Sequence, residues 1–112
     1  MIYSESEAIL AALSGIGQVR RVTRSWPVGA CDLPCIAIAR AAQTPVDYRD
    51  GRAYLTVLEY YVRVFAADAA TGDEIAAQAD AAMERLGYNC VFAADEDDKD
   101  TRIRVMRYQK MM

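Results

Sequence analysis

The stretch AYLTVLEYYVRVF, residues 53–65, decides the fold. Tyr54, Thr56, Leu58, Tyr60, Val62 and Val64 share one parity, and Leu55, Val57, Glu59, Tyr61, Arg63 and Phe65 share the other. Side chains of a strand alternate between two faces, and the β-branched and aromatic residues that fill this run suit a pleated surface. Apolar groups on both faces predict a strand that lies centrally in its sheet. Just upstream, CIAIARAAQT at 35–44 places Ile36 and Ile38 on one face. Its alanines would tolerate a helix, but Pro34 and Pro45 bracket a run of strand length. Between the two strands, PVDYRDGR at 45–52 reads as a turn-rich polar connection around Asp50-Gly51, which makes the pair a long hairpin.

Helices are predicted on either side of this hairpin. Ser4 and Glu7 have the S-x-x-E spacing of a capping box ahead of Ile9, Leu10 and Leu13, which predicts a helix over 5–14 with Gly15 and Gly17 as left-handed terminators. Thr71 and Glu74 repeat the spacing, with Asp73 adding negative charge at the positive end of the helix dipole. A second helix is therefore expected over 73–86, its stripe Ile75, Ala79, Ala82, Met83 and Leu86 facing the sheet and Gly87 ending it. Ala76, Ala77 and Ala81 are expected to let it approach a neighbour closely. Residues 18–24 read as a strand, 26–34 as a loop, and 88–93 and 101–108 as an antiparallel pair joined by an acidic tip, Asp95 to Asp100. Helices set apart from a mainly antiparallel sheet define the α+β class, and nothing divides residues 1–112 into more than a single domain.

Composition agrees and excludes several functions. The chain has 112 residues and 54% hydrophobic side chains, twenty of them alanine, enough for one modest core. Its net charge is −3 and its pI about 4.9, which disfavours nonspecific grip on nucleic acid. Histidine is absent, so triads, zinc hydrolases and zinc fingers built on it are excluded. The three cysteines, Cys31, Cys35 and Cys90, are an odd number without a secreted-domain framework, and fit free thiols in a reducing cytosol. Cys31-x3-Cys35 lacks the further ligands a metal needs. The first seventeen residues carry Glu5 and Glu7 and no cationic region, so neither signal peptide nor membrane span is expected.

Each charged feature of the chain also fits a plain solvated surface. The acidic run 95–100 lacks the glycine and terminal glutamate of a calcium loop. It is followed at once by Arg102, Arg104, Arg107 and Lys110, and such a two-signed hairpin is suited to attract the opposite pole of an identical neighbour. Arg20, Arg21 and Arg24 stand beside Trp26, and tyrosines crowd the central hairpin, some by strand preference and some as interface residues. No phosphate loop, nucleophile elbow or carboxylate pair at a catalytic spacing occurs, so no catalytic, cofactor-binding or metal residues are assigned.

Taken together, the arginine-rich strand ending in Trp26-Pro27, the proline-flanked strand 33–40, the Asp50-Gly51 hairpin, YYVRVFA at 60–66, the helix 73–86 and LGY at 86–88 resemble the tail terminator family of long-tailed phages and prophages. The resemblance spans residues 9 to 108. It implies an α+β subunit that is not an enzyme and needs no cofactor. Its partners would be itself, as a ring that is usually six-fold on the tail, then the tail tube protein and the head connector, with DNA met only in passage through the lumen and no membrane involved. Such a protein is located in the virion tail and, during assembly, in the cytoplasm of the bacterial host. On this reading Tyr48, Arg49 and Arg52, at an exposed tip, are candidates for a subunit or tube contact, and Arg102 and Arg104 for a face toward a neighbouring subunit or the lumen. Competing readings are another head–tail connector or minor tail component, a free-standing ligand-binding α+β module, and an enzyme using carboxylates or Cys31.

Overall fold

A computed structural model describes residues 5–24, 33–49, 51–98 and 100–111, the side chains of 45–49 and 52–54 excepted. The described elements run α1 (Ser6–Ser14), β1 (Arg21–Thr23), β2 (Cys35–Arg49), β3 (Arg52–Ala66), α2 (Ala69–Arg85), β4 (Asn89–Asp98) and β5 (Thr101–Met111). The strands form one sheet in the order β1-β2-β3-β5-β4, parallel between β1 and β2 and antiparallel elsewhere. The α+β expectation holds, and β3 is the middle strand.

The parity of β3 sets the two faces. Thr56, Leu58, Tyr60, Val62 and Val64 are buried, whereas Leu55, Val57, Glu59, Tyr61 and Arg63 are half-buried. Both helices lie on the first face, where Ile9, Leu13, Ile36, Ile38, Tyr60, Val62, Ile75, Ala79, Met83, Tyr88, Met106 and Tyr108 form the main core. Each large apolar side chain buried there contributes roughly 1.5–3 kcal/mol. The helix-free face has a smaller cluster of Cys35, Ala37, Phe65, Ile103 and Val105.

Polar groups in the core are matched. Tyr60 Oη accepts from the Glu5 backbone N–H at 3.2 Å and lies 3.3 Å from Ser6 Oγ. Its ring meets that of Tyr88 edge-on at 5.9 Å. Tyr88 Oη and Lys110 Nζ both donate to Glu5 Oε1, at 3.3 and 2.8 Å. Tyr108 Oη donates to Asp80 on α2 at 2.8 Å. Burial first, and the neighbouring Glu5 carboxylate after it, push the Tyr88 phenol well above its ordinary range; burial and Asp80 do the same to Tyr108.

Several boundaries depart from the sequence reading. Glu5 stands at the α1 N-cap without a side-chain cap bond, Ser4 lies outside the described residues, and Gly15 is right-handed at φ −75°. The strand expected at 18–24 shrinks to three residues, and most of the loop expected at 26–34 lies outside the described residues. Asp68 rather than Thr71 caps α2, accepting from the Thr71 N–H at 2.8 Å. The capping-box assignment misplaced the start because an Asp-x-x-Thr cap precedes it by three residues. Gly87 does end α2, at φ +91°, with its N–H bonded to Glu84 O and that of Tyr88 to Met83 O. Ala76 is buried against the sheet, but Ala77 and Ala81 face solvent.

Two larger corrections change the shape. Residues 45–49 are not a loop, because β2 runs on through Pro45 to Arg49 and pairs with β3 to the turn, where Gly51 has φ +76°. Pro45 is tolerated because among the described residues β1 has ended and β2 is an edge there, and because a bulge separates Pro45 from Asp47. Residues 95–98 are likewise strand, with Asp95 opposite Arg104 and Asp97 opposite Arg102.

Candidate assembly surface

β5 reaches β3 only as far as Val57, which faces Met111. Beyond that point residues 52–56 and their partners on β2 continue as a two-stranded arm. The molecule is accordingly long and thin, 52 × 24 × 21 Å. A two-stranded ribbon without a third strand is marginal by itself in water. An arm of this kind is a natural surface for a neighbour to cover.

The arm presents the first group of sequence candidates. The backbone places Tyr48 opposite Ala53 and Arg49 opposite Arg52, at its very end; the side chains of Tyr48, Arg49 and Arg52 lie outside the described residues. Arg102 and Arg104 are at the other end of β3, opposite Ala66 and Val64. Twelve residues separate Arg52 from Val64 along β3, about 40 Å at roughly 3.3 Å per residue. The structure therefore divides the five residues between two poles.

At the second pole Arg102 donates to Asp97 at 2.8 Å and Arg104 to Asp95 at 3.2 Å. These arginines lie on the helix side of the sheet and, with Asp73 and Gly72 of α2, line a cleft of about 250 Å³. Because each arginine is matched across the strand pair, the two signs of the hairpin largely neutralise one another locally. Exposed pairs of this sort contribute about 0.2–1 kcal/mol.

The helix-free face holds features that sequence reading missed. Glu59 accepts from Arg107 Nε at 2.8 Å and from Gln109 Nε2 at 2.9 Å. The Arg63 guanidinium sits 4.8 Å above the Tyr61 ring. Val91, Phe92 and Met111 are exposed large apolar groups. A bulge between Cys90 and Phe92 breaks the alternation of β4. The parity of 53–65 already separated Tyr60 from Tyr61; pairing of Glu59 with Arg107 needed the register of β3 on β5, which no local pattern carries.

The other site chemistry can be placed in part. Cys35 is buried and Cys90 exposed, while Cys31 lies outside the described residues. Among the described residues, no group of three or more His, Cys, Asp or Glu side chains is gathered as for a metal ion, and no helix is long and apolar enough to cross a membrane.

No family model matches the chain, and no curated protein sequence matches it. Among solved structures the chain is similar to one from the virion of a native gene transfer agent (GTA) particle. The superposition covers 94% of this chain and 84% of that one, with a TM-score of 0.53 and 19% identity. What that likeness shows is a shared fold over nearly the whole length of both chains.

Proposed function

We propose that this protein is a virion structural protein that caps the phage tail tube as a ring, ends tube polymerisation and offers the surface on which the head joins. The observation that carries this reading is the fold, which a chain of a virion particle shares almost end to end. The resemblance of the sequence to tail terminators supports it independently, and the two-stranded arm, which no third described strand flanks, supplies a contact element. In the ring, Tyr48, Arg49 and Arg52 at the arm tip meet a neighbouring subunit or the tube, and Arg102 and Arg104 lie toward a neighbour or the lumen. DNA meets the protein only as it passes through that lumen. A head–tail connector or minor tail component other than the terminator is the second reading, favoured by the same virion fold.

Charge reversal at the arm tip tests the assignment. R49E/R52E changes two residues at a hairpin end and is expected to leave the fold within about 0.5 kcal/mol of the wild type. Its particles are expected to carry over-long tails or tails without heads, seen by electron microscopy. Tails of normal length on fully infectious particles would remove the arm tip from the working surface.

A further inference from the structure

Among the described residues the sheet ends on β1 at one side and on β4 at the other, and these two edges carry opposite charge. β1 forms one of them, with Arg20 and Arg21 exposed and without an acidic partner among the described residues. The other is β4, whose last four residues are all acidic. Asp95 and Asp97 are matched by Arg104 and Arg102 on β5, whereas Glu96 and Asp98 are exposed and have no basic partner among the described residues. The faces agree as well. Arg21 is in register with Cys35, and Glu96 with Ile103; both of those partners belong to the cluster on the helix-free face.

We propose that the β1 edge of one subunit docks against the β4 edge of a second copy of this chain, and that repetition of this contact builds the ring. The inference rests on the ring reading above and names the surfaces that make it. Two unlike patches on one chain form a heterologous contact, which generates a closed ring when its rotation divides a full turn. The charges also act against the alternatives. Two β4 edges brought together would set acidic runs side by side, and two β1 edges would set arginines side by side, so the twofold dimers that open edges invite are disfavoured. Phe92, exposed near the start of β4, supplies an apolar contact to a surface otherwise steered by charge. Because β1 is only three residues long, few main-chain bonds are available. The contact is therefore weak and salt-sensitive for a free subunit.

Complementary charge reversal tests this directly. R20E/R21E makes both edges acidic, and E96K/D98K makes both edges basic. All four positions are exposed, and circular dichroism of each variant is expected to match the wild type. In sedimentation velocity at high protein concentration and low salt, the wild type is expected to self-associate. Each variant alone is expected to associate about tenfold more weakly or worse, as like-charge edges meet. An equimolar mixture is expected to recover assembly with alternating subunits, which a ring of even order accommodates. Variants that associate as the wild type does, or a mixture that stays monomeric beside an assembling wild type, would overturn the edge contact and leave the ring reading to the tail-length assay. A wild type that remains monomeric under these conditions would also overturn it, again without touching that assay.

Discussion

Tyr60 is the side chain through which the N-terminal helix is tied to the middle of the sheet. It is wholly buried, and its hydroxyl receives the Glu5 N–H while standing against Ser6 Oγ. Glu5 is held in turn by Tyr88 and Lys110, so three residues distant in sequence, Tyr60, Tyr88 and Lys110, fix one helix end. Tyr60→Phe keeps the ring and its edge contact with Tyr88 but strands the Glu5 amide. The expected loss is about 1 kcal/mol, at the usual cost of one buried hydrogen bond, measured by urea denaturation with an unchanged m-value. No change in midpoint would show that water satisfies the amide and that the tie lies elsewhere. The burial of Tyr60 was legible from the parity of 53–65. Its partners were not, because Glu5, Ser6 and Tyr88 meet it only through the tertiary fold.

Among the elements, α2 shows how a local signal is read correctly in kind and wrongly in place. Thr71-x-x-Glu74 and Asp68-x-x-Thr71 are overlapping caps, and the chain uses the earlier one, which adds a further turn and sets Gly72 where an added methyl would stand 3.5 Å from the Ala66 Cβ. Bonds from the Thr71 amide and hydroxyl hold the Asp68 carboxyl below its ordinary value of 3.8. A carboxyl lowered by folding stabilises the fold above its unfolded value and ceases to do so as pH falls through the folded one. Asp68→Ala is therefore expected to lower the thermal midpoint near neutral pH, and the gap to the wild type is expected to close below pH 3.8. A gap that persists undiminished in acid would mean that the carboxylate bonds are not its cause. The acidic run at 95–98 reads as a tip for a related reason. Consecutive carboxylates are poor strand formers by themselves, and only the arginines at matching positions on β5 make the strand acceptable. Pro45 misled in the same way, since a proline ends a central strand but not an edge at a bulge.

At the scale of the whole molecule, function follows from shape and from what a single copy leaves open. One end projects a two-stranded arm, the other carries the matched arginines of β5, and the sheet edges between them differ in charge. The α+β class and the central hairpin were legible in the sequence because periodicity and turn chemistry are local. The separation of the five candidate residues into two poles about 40 Å apart was not, since it depends on how β5 registers against β3. On the proposed function, a ring of such molecules would stop a growing tube by covering its end with a layer that offers no further tube site. The most direct measurement is electron microscopy of tail tubes polymerised from purified tube protein, with and without this chain. The account predicts tubes that stop growing and carry a ring of this protein at one end. Tubes that elongate unchanged and show bare ends in its presence would contradict it.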